Sequence, residues 1–192
     1  MRISRKWLRP RKLLALVFAA ALVLSARPTA QAMALGGLLI AAGESLRLWA
    51  TGYLHKTESL TVAGPYAYLR HPLYLGTLAI ATGYAVMAQS VAGWCLYGVF
   101  TIAYFGYYMP YKNRIEGARL EALFGDAYRR YAVAVPTLLP RLHAYVPLGA
   151  PLGAEGVRSQ WQGVRFAENH EVGVALGVLG GVGAITLRWV TL

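Results

Sequence analysis

Two groups of polar residues stand at the two ends of a long uncharged run, residues 72–111. The group before the run combines aromatic rings with cations: Tyr66, Arg70, His71 and Tyr74. The group after the run combines cations with a carboxylate: Lys112, Arg114 and Glu116. Taken separately, they read as lipid headgroup contacts and an i,i+4 surface pair. Taken together, they would form a pocket with a carboxylate, cations and aromatic faces beside lipid.

The uncharged run itself would bring the two groups together. It is long enough for two membrane crossings of about 20 residues each. The polar stretch Ala88-Gln89-Ser90 marks the turn between them, and Pro72 suits the first turn of the first crossing. Because both ends of such a hairpin return to the same side, the two polar groups are predicted to meet at one membrane face.

The chain has the composition of a membrane protein. It contains 192 residues, of which 57% are hydrophobic and 14% are charged. We predict an all-α integral membrane bundle formed by one domain, residues 1–192. Its crossings would be segments 13–27, 32–54, 72–89, 91–111 and 172–190, about five in all. Residues 142–170 would be a cytoplasmic loop, and residues 171–192 would hold the last transmembrane helix.

The positions of the basic residues indicate the orientation of this bundle. The net charge is +11, and most basic residues lie in positions 1–12, 55–71 and 112–170. With the predicted crossings, these three stretches lie on one side, which the positive-inside rule assigns to the cytoplasm. The charge is therefore expected to serve attraction to anionic lipid headgroups rather than nucleic acid. Trp49, Tyr53, His55 and Lys56 are expected as anchors at the interface.

Several kinds of site are not supported by the sequence. There is no Gly-x-Gly-x-x-Gly after a strand pattern, no serine in a nucleophile elbow and no pair of histidines at metal-ligand spacing. Cys95 is the single cysteine, so a disulfide framework is excluded. At the N-terminus, a signal peptide cleaved at Ala30-Gln31-Ala32 is the alternative to a short first helix. The helix is the simpler interpretation because Met33 soon begins another apolar segment.

Two further patterns concern helix packing. Glu44 and Arg47 are three residues apart inside a predicted crossing and can share a helix face. They are interpreted either as a structural ion pair or as polar groups beside a pocket. Gly173, Gly177 and Gly181 form a small-residue ridge that favours close packing, within the chain rather than in a dimer. The sequence leaves the oligomeric state open.

Longer motifs resemble a known enzyme superfamily. The first block comprises Arg47-Leu48-Trp49-Ala50, then Leu60-Thr61-Val62-Ala63-Gly64-Pro65-Tyr66, then Arg70-His71-Pro72-Leu73-Tyr74-Leu75-Gly76. The second comprises Glu116-x-x-x-Leu120-x-x-x-Phe124-Gly125-x-x-Tyr128-x-x-Tyr131 and Val135-Pro136…Pro140. These blocks resemble the isoprenylcysteine carboxyl methyltransferase and phospholipid methyltransferase superfamily. Its members are integral membrane enzymes that use S-adenosylmethionine, and the resemblance covers residues 45–141.

The resemblance implies roles for individual residues. The cofactor site would be formed by Tyr66, Arg70, His71, Pro72, Leu73, Tyr74 and Glu116. Lys112 or the nearby Arg114 would face the substrate. The family usually has two adjacent glutamates where this chain has Glu116-Gly117, so one cofactor or substrate contact is in question.

The resemblance also implies a reaction: methyl transfer to a lipidic or lipidated acceptor that enters from the bilayer. A carboxylate acceptor would need only an orienting cation, whereas an amine would have to lose a proton, and His71 is the nearest suitable base. Carboxyl O-methylation is favoured over phospholipid N-methylation. The alternatives are a non-enzymatic binding protein and, less favoured, a reductase that uses NADPH as sterol reductases do.

Overall fold

The structure is a computed structural model that describes residues 10–54, 59–147, 160–169 and 171–192. Within these ranges it contains helices and no strand, so the predicted all-α class is confirmed. The α-helices are α1 (Pro10–Ser25), α2 (Ala30–Tyr53), α3 (Pro72–Ala88), α4 (Val91–Ala103), α5 (Met109–Ala134), α6 (Val164–Glu168) and α7 (Glu171–Val190). Outside the described residues lie the basic N-terminal residues 1–9, the proposed anchors His55 and Lys56, and residues 148–159 and 170 of the predicted loop.

Helices α2 and α3 form the centre of the fold and approach each other at two pairs of glycines. A Cβ atom placed on Gly43 would lie 2.6 Å from the carbonyl oxygen of Gly76, and one on Gly76 would lie 2.7 Å from that of Gly43. Gly36 and Gly83 face each other in the same way, at 2.5 and 2.6 Å. The pairs are seven residues apart on each helix. The two backbones therefore pack directly against each other along two turns.

The turn between α3 and α4 lies where the sequence predicted it. Helix α3 ends at Ala88, and Gln89 takes a left-handed conformation with φ of 46°. Ser90 then caps α4, because its Oγ accepts a hydrogen bond of 3.0 Å from the Gly93 amide. The chain continues through a π-helix, Tyr104–Tyr108, directly into α5. The Tyr104 hydroxyl donates to the Tyr74 carbonyl at 2.8 Å, so the two ends of the hairpin lie side by side.

The helices differ in how well they match the dimensions of a bilayer. Among the described residues, Ala30–Tyr53 and Glu171–Val190 are long and apolar enough to cross a membrane. Leu13–Ser25 and Pro72–Ala88 are shorter apolar helices, and α4 merges into the charged helix α5. The structure thus identifies two candidate crossings, and the predicted bundle of about five remains a prediction.

Helix α7 packs on the bundle through part of its glycine ridge. A Cβ on Gly181 would lie 2.5 Å from the Tyr84 hydroxyl, which donates to the Val178 carbonyl at 2.6 Å. Among the described residues, no atom outside the helix's own backbone and the adjacent residues lies within 4 Å of a Cβ placed on Gly173 or Gly177. The expected packing within the chain is therefore seen at Gly181, one of the three positions.

Candidate functional site

The loop between α2 and α3 forms one wall of the site. Gly64, with φ of 58°, places the backbone against the Tyr53 ring and opens the short 3-10 helix Gly64–Ala67. This turn buries Tyr66, which is 7% exposed. Burial raises the pKa of the Tyr66 phenol, so its hydroxyl stays protonated at physiological pH.

The segment after Phe124 holds this loop in place. At Gly125 the helical backbone is broken, with φ of 51°, so the end of α5 turns back toward the loop. The Tyr131 hydroxyl donates to the Tyr66 carbonyl at 2.8 Å, and the Arg70 amide donates to the Pro136 carbonyl at 2.8 Å. The second sequence block therefore supports the loop of the first block.

Further contacts fix the last residues of this loop. The His71 amide donates to the Thr137 carbonyl at 3.1 Å. The Arg70 guanidinium donates to the Thr137 hydroxyl at 2.7 Å, which holds the arginine against the wall of the site. Pro72 then begins α3, where its missing amide hydrogen leaves no helical hydrogen bond unmade.

Glu116 on α5 and Tyr74 on α3 meet directly. The Tyr74 hydroxyl lies 2.9 Å from Oε1 and 3.0 Å from Oε2 of Glu116. Lys112, one turn before Glu116, places its Nζ 2.8 Å from Oε1. The His71 ring stacks on the Tyr74 ring at 4.9 Å, and its Nδ1 lies 3.9 Å from Glu116 Oε2. The two ends of the uncharged run therefore converge on one carboxylate.

A cavity of about 160 Å³ opens at this convergence. Its lining includes all seven residues that the sequence resemblance assigned to a cofactor: Tyr66, Arg70, His71, Pro72, Leu73, Tyr74 and Glu116. The remaining lining residues are Leu54, Ser59, Leu60, Thr61, Leu120 and Tyr131. Among the described residues, the walls are thus largely apolar and aromatic, with one carboxylate and one guanidinium.

The two residues predicted to face the substrate are placed differently. The Lys112 side chain is 33% exposed; it is not among the described residues that line the cavity, but it contacts the lining residue Glu116. Arg114 is exposed and is not among the residues that line the cavity. The structure therefore brings Lys112 to the site and leaves Arg114 outside it.

These surroundings also shift the pKa values of His71 and Lys112. Burial lowers the pKa of His71, against smaller opposing contributions from its hydrogen bond to Asn113 and from Glu116. The hydrogen bond to Glu116 raises the pKa of Lys112. At neutral pH the site therefore holds a neutral imidazole and a cationic ammonium.

Sequence reasoning did not single out Asn113, although it lies within the second polar group. Its Oδ1 lies 3.1 Å from His71 Nε2 and orients the ring. Two tyrosines of the π-helix, Tyr104 and Tyr108, also support the site. Tyr104 is 5% exposed and holds the Tyr74 carbonyl, while the Tyr108 ring packs edge-on against the Tyr74 ring at 5.7 Å. Tyr111 is exposed, at 43%.

Gly117, where the family usually has a second glutamate, packs closely against another part of the site. A Cβ placed on Gly117 would lie 3.1 Å from the Tyr128 hydroxyl. A Cβ here would require a small shift of Tyr128, which belongs to the buried cluster of Val62, Tyr131 and Val135. The glycine is therefore suited to the packing of this chain.

These residues fall within a known family. Residues 31–127 match the family model described as phospholipid methyltransferase. The chain belongs to the phospholipid methyltransferase family. This confirms the superfamily indicated by the two sequence blocks. The match includes α2, α3, α4 and the first part of α5, and hence both Tyr74 and Glu116.

Two curated relatives match across about half of the chain. The cobalt-zinc-cadmium resistance protein CzcN of Cupriavidus metallidurans is 32% identical over 59% of this chain and 51% of its own length. The protein-S-isoprenylcysteine O-methyltransferase of Schizosaccharomyces pombe is 28% identical over 53% of this chain and 42% of its own length. The chain thus spans about half the length of these relatives. No solved structure matches it significantly.

Proposed function

We propose that this protein is an S-adenosylmethionine-dependent methyltransferase that acts at the membrane on a lipidic or prenylated acceptor. The observation that carries the proposal is the convergence of Tyr74, His71 and Lys112 on Glu116 at one cavity. Family membership and the relative that methylates isoprenylcysteine support the same reaction class.

The chemistry of the cavity suits this cofactor. Glu116 would hold the ammonium of the amino-acid tail or the ribose hydroxyls through charge-assisted hydrogen bonds. The rings of Tyr66, His71 and Tyr74 offer aromatic faces that attract a cation, and the leucines give an apolar wall for a purine. S-adenosylmethionine supplies an electrophilic methyl group on a sulfonium. The contribution of the protein is to hold the reactants in line, since such a displacement depends mainly on orientation.

The state of Lys112 and His71 favours carboxyl O-methylation over phospholipid N-methylation. A carboxylate is already ionised at neutral pH and needs only a cation to orient it, and Lys112 remains charged there. An ammonium acceptor would have to give up a proton first. His71 is neutral, but its side chain is only 13% exposed and its Nε2 is engaged by Asn113. We therefore propose Lys112 rather than His71 as the residue that faces the acceptor.

A second cavity supports an acceptor with a hydrocarbon chain. It has a volume of about 600 Å³ and lies between α1, α3, α4 and α7, with an almost wholly apolar lining. Ring contacts connect it to the first cavity through Tyr97, Phe100, Tyr104, Tyr108 and Tyr74. Together with the candidate crossings, this arrangement fits an acceptor that enters sideways from the bilayer. By the positive-inside rule, the basic residues on α5 favour a pocket at the cytoplasmic face.

The reaction can be tested with purified protein, S-adenosylmethionine carrying a labelled methyl group, and a total lipid and small-molecule extract. We expect a labelled lipidic product that mass spectrometry can identify. A methyl ester would release labelled methanol in alkali, whereas an N-methyl product would keep its label. No labelled product despite cofactor binding would favour a non-enzymatic protein. Binding of NADPH in place of S-adenosylmethionine would favour the reductase alternative.

A further inference from the structure

A buried ion pair connects helices α2 and α7 behind the first cavity. Arg47 is 8% exposed and Glu171 is 7% exposed. Arg47 Nη2 donates to Glu171 Oε2 at 2.5 Å. Glu44, on the same helix as Arg47, is more distant, with its Oε2 at 3.8 Å from Arg47 Nε. The sequence pattern paired Arg47 with Glu44, but its nearest carboxylate comes from a helix more than a hundred residues later.

The other end of the Arg47 guanidinium holds the first turn of α3. Nη1 donates to the Thr77 hydroxyl at 2.7 Å and to the Leu73 carbonyl at 3.2 Å. The Thr77 hydroxyl itself donates to the same carbonyl at 2.9 Å. Leu73 and its neighbour Tyr74 both line the cavity. Two side chains therefore fix the backbone that presents Tyr74 to Glu116.

The contact between α2 and α3 has room for the Arg47 side chain because the residue facing it on α3 is a glycine, Gly76. A Cβ on Gly76 would lie 2.6 Å from Arg47 Cγ, so a side chain there would displace the arginine stem. Arg47 follows Gly43 by one helical turn and extends the line of close contacts to the cavity end of α3. The arginine is thus built into the close contact between α2 and α3.

Stability alone gives little reason to bury this pair. Removing two charges from water is costly, and well-packed apolar residues of similar size are often as stabilising as a buried ion pair. An arginine differs from such residues in its fork of donors, which can hold a carboxylate on one side and a carbonyl and a hydroxyl on the other. The geometry therefore suits a positioning role.

We infer that Glu171 is a positioning residue: it orients Arg47, and Arg47 fixes the Leu73–Tyr74 turn of the cofactor cavity. Helix α7 lies outside the matched residues 31–127, so this part of the chain would complete the site from beyond the family match. The inference rests on the proposed function, since the cavity is taken to hold S-adenosylmethionine.

The test compares three variants of the full chain in detergent. Glu171→Gln weakens the charge interaction but keeps a hydrogen-bonding group. A triple variant, Arg47→Met, Glu171→Leu and Glu44→Gln, replaces the buried pair by apolar side chains and leaves no unpaired charge. Glu121→Gln is the control, because Glu121 pairs with Arg129 on the exposed side of α5, away from the cavity.

Three quantities are measured for each variant: the melting temperature, hydrogen exchange of a peptide covering residues 72–78, and the Kd for S-adenosylmethionine. We expect the triple variant to melt near the wild-type temperature, to exchange faster in that peptide, and to bind about tenfold more weakly, as for one lost charge-assisted hydrogen bond. The Glu171→Gln variant should also exchange faster in that peptide and bind S-adenosylmethionine more weakly. The Glu121→Gln variant should match the wild type in melting temperature, exchange and Kd.

Wild-type exchange or a wild-type Kd in the folded triple variant would overturn the inference and leave the pair a structural contact. A lowered melting temperature with unchanged Kd has the same meaning. If the wild-type protein does not bind S-adenosylmethionine, the proposed function fails, and the exchange measurement still decides whether the pair fixes the first turn of α3.

Discussion

Glu116 is the residue on which the site depends, because four side chains organise around it. Its carboxylate accepts a hydrogen bond from the Tyr74 hydroxyl and forms an ion pair with Lys112. The His71 ring lies close to the same carboxylate, and its Nε2 is hydrogen-bonded to Asn113. The position of Arg114 shows that the spacing of residues along α5 decides which side chains reach the site. Lys112 and Glu116 share a helix face, whereas a residue midway between them points to the opposite side.

The buried imidazole predicts a dependence of stability on pH. Burial holds the pKa of His71 below its ordinary value of 6.5, so below pH 6.5 the unfolded chain takes up a proton that the folded state resists. The contribution of His71 is therefore fully present above pH 6.5 and is lost as the pH falls toward the lowered pKa. We expect His71→Gln to flatten the fall in melting temperature between pH 7 and pH 5.

The control for this measurement is His143→Gln, which changes an exposed histidine. It should leave the wild-type pH profile intact. If His71→Gln and the wild type lost the same stability on acidification, His71 would not be the buried group that the structure describes.

Among the elements, the packing of α2 on α3 sets the geometry of the site. The glycine pairs bring the two backbones into contact, and the tail after Gly125 then closes over the loop that joins these helices. The turn at residues 88–90 and the meeting of the two polar groups could be predicted from the uncharged run alone. The glycine pairs could not, because their i,i+7 spacing acquires meaning only when the register of two separate helices is known.

A single methyl group should test this packing. Gly76→Ala places a Cβ 2.7 Å from the Gly43 carbonyl oxygen and 2.6 Å from Arg47 Cγ, so the helices must move apart. We expect a loss of about 1–3 kcal/mol in the free energy of unfolding, as is usual for overpacked positions. The measurement is denaturant unfolding in detergent.

The matched control is Gly98→Ala on α4, where no atom of the described residues lies within 4 Å of the added Cβ, apart from the helix's own backbone and the adjacent residues. Alanine favours the helix by about 1 kcal/mol there, so this variant should be as stable as the wild type or more so. A Gly76→Ala variant that is equally well tolerated would mean that the two backbones are not in contact.

At the scale of the whole molecule, the chain combines a family core with helices that the family match does not include. Helix α7 reaches the core through Glu171 and Gly181, and its pairing with Arg47 spans too great a sequence separation for pattern reasoning to predict. Composition predicted a helical protein correctly. The number of crossings could not be fixed from composition, because α4 runs through the π-helix into a charged helix without a break.

The predicted orientation can be tested with the single cysteine removed. In a Cys95→Ala background, Val91→Cys places a thiol at the α3–α4 turn, where Val91 is 83% exposed, and Arg119→Cys places one on α5. We expect a membrane-impermeant thiol reagent added to intact cells to label position 91 and not position 119, with the reverse in inside-out vesicles. Labelling of both positions from the same side would rule out a hairpin that crosses the membrane.

The most direct test of the proposed cofactor site is titration of the purified protein with S-adenosylmethionine to measure its Kd. The wild type is compared with Glu116→Ala and with Glu121→Ala, which changes an exposed residue and serves as the control. We predict that the wild type and Glu121→Ala bind with the same Kd. Glu116→Ala should keep its fold, because the Glu116 side chain is 36% exposed, and should bind at least about tenfold more weakly through loss of charge-assisted hydrogen bonds. Equal affinity of Glu116→Ala and the wild type would contradict the placement of the cofactor between α3 and α5.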